Sequence, residues 1–308
     1  MKYLKIIRYQ NLLMLAFMQF IFRYGFTSQQ NIVLSLSHFQ YALLVLSTVC
    51  IAAGGFIINN IFDTETDNYN KPEKVIVGKS IKEATAYNMY AIFTIIGVGI
   101  GFYLSNVIQK PNFAAIFVVI AGTLYLYASS MKQSLLVGNI IVALLLAFSV
   151  IIIGIFDLFP ATYDGNQTIM GIIFGILIDY AIFTFILNFI REIVKDLEDV
   201  DGDYNEGMST LPIVFGKKRT TILVFVLSFI PIICILYYVY FYVFLSKLIL
   251  STIFCLIFIL SPLLYFTTKI IDAKSKKDFN HLSIVLKWIL FFGIISIALI
   301  SFNMKNHA

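Results

Sequence analysis

Charge is scarce in this sequence. Of its 308 residues only 13% are Asp, Glu, Lys or Arg, while 60% are hydrophobic. A soluble domain carries roughly 25% charged and 45–50% apolar residues. A soluble globular protein is therefore excluded. So is a disordered chain, whose signature is high charge with low hydrophobicity. Three cysteines, far apart in apolar segments, cannot form a disulfide framework. The three histidines fall in no ligand-like spacing. There is no low-complexity tract and no Pro-rich linker. Ten-residue stretches of alternating polarity are missing too, which excludes a transmembrane β-barrel. A mean hydropathy of +0.90 places the chain in lipid.

What is present is a series of long apolar runs. Nine are read, at 11–30, 41–61, 84–107, 112–128, 135–159, 168–190, 220–241, 248–271 and 284–303. At about 20 residues per crossing each is long enough for a helical span, and helices satisfy their own backbone in hydrocarbon. Pro231 and Pro262 fall inside spans, where they are expected to kink them. The expected fold is all-α: one integral membrane bundle of nine transmembrane helices over 1–308. The basic residues agree with that count. Eighteen of the 22 Lys and Arg fall on one side of the alternating loops; only Lys110, Lys247 and Lys305 fall on the other, and Arg23 lies within the first span. By the positive-inside rule the N-terminus is cytoplasmic and the C-terminus outside, as expected of a multi-pass protein of a bacterial or archaeal cell membrane. The net charge of +5 is thus a topology signal, and no nucleic-acid partner is expected. Lys2, Lys5 and Arg8 precede an apolar run as in a signal peptide. No small-residue cleavage site follows, so the run reads as an uncleaved span.

The acids are concentrated. Eleven of 17 lie in two windows, 63–73 and 192–206, both on the inner side and each at the exit of a span. Asn59, Asp63 and Asp67 are spaced i, i+4, i+8; Asp196, Asp199 and Asp203 are spaced i, i+3, i+7. Each set lines one face of a helix, where like charges repel. Solvated acidic loops would explain the composition, but not Asn59 inside the apolar end of its span. Intramembrane and juxtamembrane acids are costly and tend to be functional. The pattern points to a divalent-cation site shared by two helices. All-oxygen donors favour magnesium or manganese over zinc or copper, and magnesium held this way completes its shell with water and substrate phosphate. Arg191 and Lys195 are interleaved with the second set, and Lys71, Lys74 and Lys132 lie in the inner loops. Together with the acids they suit a polyanion such as a diphosphate. For Lys71, Lys74 and Lys132 the positive-inside pattern is an equally sufficient reason.

These residues resemble a known family. Asn59-xxx-Asp63-xxx-Asp67 matches the NxxxDxxxD motif of the UbiA superfamily of intramembrane prenyltransferases, and Asn70-Lys71-Pro72-Glu73-Lys74 is similar to the segment that follows it. Asp199-xxx-Asp203 resembles the second motif, and Tyr127-xxxx-Lys132 with Gly138-Asn139 the loop between helices four and five. Within the superfamily, Arg191-Glu192-xx-Lys195-Asp196-x-Glu198-Asp199-xx-Gly202-Asp203 is most similar to the RExxKDxEDxxGD pattern of digeranylgeranylglyceryl phosphate synthases. One departure is Lys74-Val75-Ile76-Val77-Gly78, which lacks the two prolines and the serine usual there.

The resemblance implies nine helices with an active site at the cytoplasmic face. It implies magnesium-dependent transfer of a polyisoprenyl group from a prenyl diphosphate to a lipophilic acceptor, best matched by geranylgeranylglycerol phosphate, with 4-hydroxybenzoate or another quinone precursor as the alternative. Asp63, Asp67, Asp199 and Asp203 would hold two Mg2+ ions, with Asn59 and Asp196 as further ligands. Lys71, Lys74, Lys132, Arg191 and Lys195 would clamp phosphates, and Tyr127 would face the allylic cation. The rival from another class is a secondary transporter, whose site belongs near the bilayer midplane between broken helices. The DGxxAR signature of CDP-alcohol phosphotransferases is absent.

Overall fold

A computed structural model describes residues 2–70, 72, 73 and 75–307, the side chains of Asn70, Asn306 and His307 excepted. Among the described residues every regular element is helical. Eight helices are long and apolar enough to cross a membrane: His38–Phe62, Glu83–Val107, Pro111–Ser129, Val137–Ala161, Gln167–Asn205, Lys217–Phe244, Ile249–Ile270 and Lys276–Lys305. They coincide with the second to ninth apolar runs. The first run lies on the helix Tyr9–Phe20 and the π turn Ile21–Phe26. Gln10, Asn11, Gln19 and Arg23 dilute its apolar character, which keeps it out of the eight.

The chain forms two compact units interleaved in sequence. The first comprises Met1–Gln19, Val33–Gly138 and Ser149–Leu177; the second comprises Phe20–Ile32, Asn139–Phe148 and Ile178–Ala308.

In the first unit, Ser37 opens the helix His38–Phe62 with a capping box, its side chain accepting from Gln40 N–H while Gln40 accepts from Ser37 N–H. The cap starts the helix three residues before the apolar run. This helix packs closely on Glu83–Val107. Ser47 Oγ donates to the Gly97 carbonyl at 2.6 Å, and a Cβ at Gly97 would sit 2.6 Å from Ile51 Cγ1 and 3.0 Å from the Ser47 carbonyl. Small residues that bring backbones together are the usual adhesive between helices in lipid. Gln19, fully buried, accepts from Thr48 Oγ1 at 2.7 Å and donates to the Ser149 carbonyl at 3.1 Å, so its polarity is met inside the unit.

Beneath the inner end of this helix lies an apolar cluster of Ile6, Ile57, Ile58, Ile61, Val77, Ile81, Ala86 and Ala128. It anchors the loop that departs from the superfamily sequence. Ser80 N–H and Ile81 N–H both donate to the Ile76 carbonyl, at 2.8 and 3.1 Å, and Gly78 takes the left-handed φ of +78° that such a tight turn needs. Two buried aliphatic side chains and a hydrogen-bonded turn hold this loop without the prolines.

In the second unit, polar groups pair across helices: Tyr180 OH with Ser296 Oγ at 2.9 Å, Thr267 Oγ1 with Ser228 Oγ at 2.9 Å, and Asn303 Nδ2 with Ser251 Oγ at 3.2 Å. Pro231 sits inside its helix, as expected. Pro262 follows the π turn Leu256–Leu260, which takes up the hydrogen bond that proline cannot make.

Candidate active site

The first acidic motif is built at the C-terminal end of His38–Phe62. Asp63 caps that helix with φ −86° and ψ 0°, and a short helix, Thr64–Asn70, follows. The expected single helix is thus interrupted at one residue. The register nevertheless carries through, because Asp63 N–H reaches the Asn59 carbonyl and Asp67 N–H reaches the Asp63 carbonyl, both at 2.8 Å. Asn59, Asp63 and Asp67 therefore follow one another turn by turn. The Asp63 carboxylate accepts from the Asn59 amide on one oxygen and from the Lys132 ammonium on the other. Lys132 belongs to the turn Met131–Gln133, sixty-nine residues away in sequence, and its side chain is 9% exposed. Asn59 Oδ1 is buried with no hydrogen-bond partner among the described residues.

Gly138 fixes the Lys132 turn. A Cβ there would lie 3.0 Å from Lys132 Cα and 3.4 Å from the Tyr127 ring. Tyr127 is thereby placed against the same turn. Lys71 and Lys74 lie outside the described residues.

The second motif rides on Gln167–Asn205. Thirty-nine residues make a helix of about 58 Å, against roughly 30 Å of hydrocarbon. With 168–190 as the apolar stretch, the rest projects past the membrane boundary, and this extension carries the acids. Burial on it is uneven. Glu192, Glu198 and Asp203 are buried, whereas the Asp201 side chain is 84% exposed and pairs with Lys217 at 3.2 Å.

Four of the acids on this extension pair with named groups. Asp196 accepts from Asn139 Nδ2 at 2.8 Å. Glu192 is bridged by Lys195 at 2.6 Å and by Arg191 at 3.6 Å. Glu198 accepts from Asn280 Nδ2 at 3.1 Å, and Asp199 lies 3.8 Å from Lys276 Nζ. Arg191 Nε donates to the Ser283 carbonyl at 3.3 Å. The carboxylates of Glu192 and Asp203 bear electrostatically on half-buried Asp196, with Asn139 and Lys195 opposing them. Burial is the larger influence on Asp196, and the like-charge repulsion expected from the spacing is present beside it.

Asn59, Asp63 and Lys132 are brought together, with Tyr127 beside the turn; Arg191, Lys195, Asp196, Asp199 and Asp203 share one helical extension. Lys195 pairs with Glu192. Among the described residues no three His, Cys, Asp or Glu side chains converge as on a single metal ion. Sequence reasoning missed Lys276, Asn280 and the Ser283 carbonyl. Residues 276, 280 and 283 repeat every three to four positions, the period of one helix face, which is the signal that was there to read.

The likeness to known proteins follows the same lines. The model of the UbiA prenyltransferase family matches residues 20–301. A digeranylgeranylglyceryl phosphate synthase of Sulfolobus acidocaldarius is 36% identical over 185 residues, 60% of each chain. The first curated relatives are matched over 56–64% of their length. Among solved structures, one of a digeranylgeranylglyceryl phosphate synthase is 24% identical with a TM-score of 0.62, covering 96% of this chain and 98% of that one. A UbiA homologue from Archaeoglobus fulgidus bound to DMAPP and Mg2+ is 17% identical with a TM-score of 0.59, covering 96% and 99%. At these identities the structural likenesses show the fold. With two DxxxD motifs, eight membrane-length helices and a family match over nearly its whole length, this multi-pass membrane protein belongs to the UbiA prenyltransferase family.

Proposed function

We propose that this protein transfers a polyisoprenyl group from its diphosphate to geranylgeranylglycerol phosphate, in ether lipid synthesis. The observation that carries the reading is the first motif: an acid at a helix end, flanked by a half-buried amide and a half-buried lysine, repeated in kind by the acid-bearing extension of Gln167–Asn205. The RExxKDxEDxxGD pattern at Arg191–Asp203 and the names of the relatives support this acceptor.

The residues fit magnesium. All the donors are oxygens, and Asn59 Oδ1 is a buried oxygen with no hydrogen-bond partner among the described residues. Asp63 and Asp67 with Asn59, and Asp199 and Asp203 with Asp196, would hold the ions. Bound magnesium neutralises the charge that grows on diphosphate as the allylic C–O bond breaks. Lys132, Arg191 and Lys195, together with Lys71 and Lys74, bind phosphate oxygens. Asn139 orients Asp196, and Lys276 steadies Asp199. Tyr127 offers its ring to the allylic cation, which the lipid-embedded helices keep from water.

In this reading the chain is one membrane domain of nine helices, the first being the run through Tyr9–Phe20. Its N-terminus and active site are cytoplasmic, its C-terminus is outside, and it resides in the cell membrane.

The test is product formation by the purified protein from geranylgeranyl diphosphate, geranylgeranylglycerol phosphate and magnesium. The expected result is prenylated lipid that disappears with chelator. Turnover with 4-hydroxybenzoate in place of the glycerol phosphate would move the acceptor to the aromatic class. No diphosphate release with either acceptor would contradict the enzyme.

A further inference from the structure

Asp179 stands at the midpoint of the apolar stretch 168–190, eleven residues from either end. It is an acid in the middle of a membrane span, and it is exposed on the helix surface, where the surroundings are lipid. Among the described residues no hydrogen bond or ion pair reaches its carboxyl group. Its neighbours in the second unit are otherwise provided for, Tyr180 by Ser296 for example. An unsatisfied polar group in hydrocarbon is costly, and an intramembrane acid is by default a sign of function.

Asp179 lines a cavity of about 210 Å3 within the second unit. Aromatic side chains form one part of the wall, Tyr180, Phe183, Tyr237, Tyr238 and Tyr242, and isoleucines much of the rest. Tyr238 stands edge-on to Tyr180 at 6.2 Å and tilted to Tyr242 at 5.4 Å. Tyr237 and Tyr242 are 55% and 56% exposed, so the mouth faces the bilayer. A cavity of about 150 Å3 already admits benzene, so this one holds a somewhat larger ring.

The flat faces of these five aromatic side chains favour a ring over a flexible chain. A hydrocarbon tail would leave Asp179 unsatisfied. A carboxyl group accepts a hydrogen bond in either protonation state, whereas it donates only when protonated. A hydroxyl donor suits both states; a carbonyl suits one. We infer that this cavity is a binding site for a lipid-soluble ring compound bearing a hydroxyl group, held by the Asp179 carboxyl. The site is separate from the acidic motifs, because Asp196 lies seventeen residues further along the same helix, about 25 Å. The inference does not rest on prenyl transfer.

The test is equilibrium binding to the full-length protein in lipid nanodiscs, with empty nanodiscs as reference and 2-naphthol as the probe. Naphthalene, lacking the hydroxyl, and 1,4-naphthoquinone, bearing only carbonyls, are the comparisons. Saturable 2-naphthol binding is expected, about tenfold tighter than either comparison. Asp179→Leu should lose about that factor and Asp179→Asn should keep most of the affinity. Asp179→Leu removes a polar group from a lipid-facing position, so folding is not at risk. Gly293→Leu is a second probe: Gly293 lines the cavity and a Cβ there meets nothing within 4 Å, so the larger side chain fills the space and should abolish binding. Equal affinity for naphthalene would make the cavity a hydrocarbon slot and overturn hydroxyl recognition, as would equal affinity for the quinone. Binding unchanged in Gly293→Leu would overturn the site.

Discussion

Asp63 shows how much a single residue can carry. Its carboxylate joins a half-buried amide four residues back to a lysine from a different helical hairpin. The i, i+4, i+8 spacing made the acid stripe legible in the sequence, but no periodicity links Asp63 to Lys132, because that contact depends on how the turn at 131–133 folds. Lys132→Met should lower turnover about a hundredfold if the ammonium serves phosphate, measured as kcat with saturating magnesium. Unchanged kcat would leave Lys132 a topological charge. Asn139 is the quieter case. It opens an apolar helix, and nothing in its surroundings along the chain marks it as a partner of Asp196, 57 positions on. Asn139→Ala should raise the magnesium concentration needed for half-maximal activity by roughly ten- to a hundredfold, as losses of ligand-orienting partners do. An unaltered magnesium dependence would show that Asn139 only packs.

At the scale of elements, the helices were almost fully legible, since twenty apolar residues in a row admit little else in lipid. What escaped were the ends and the interruptions. The capping box at Ser37 and the break at Asp63 are set by local hydrogen bonds that hydropathy does not register. The first apolar run is the instructive one. Its Gln19 and Arg23 weaken the apolar signal because both side chains are buried in protein, 0% and 3% exposed, rather than facing lipid. Close packing between His38–Phe62 and Glu83–Val107 is what holds the first motif in place. Gly97→Leu should therefore destabilise by about 1–3 kcal/mol through overpacking, seen as a lower Tm in detergent, with activity falling alongside. Gly99→Leu, two residues on and with nothing within 4 Å of its Cβ, should be nearly neutral. Similar losses at both positions would mean that the tight seam plays no special part.

At the scale of the whole molecule, charge asymmetry orients the chain. In the proposed nine-helix topology, with the N-terminus in the cytoplasm, eighteen basic residues fall inside against three outside. A cysteine placed at the C-terminus should react with a membrane-impermeant maleimide in intact cells, and one at the N-terminus should not. Labelling of both, or of neither, would mean an even number of crossings and contradict the nine-helix topology. The central claim is that the two acidic motifs together support ionisation of a prenyl diphosphate. The most direct measurement is diphosphate release from geranylgeranyl diphosphate, with geranylgeranylglycerol phosphate present and magnesium titrated, for wild type, Asp63→Asn and Asp199→Asn. Release should require magnesium and fall at least about a hundredfold in each variant. Release that persists in chelator, or that survives either substitution, would contradict the account.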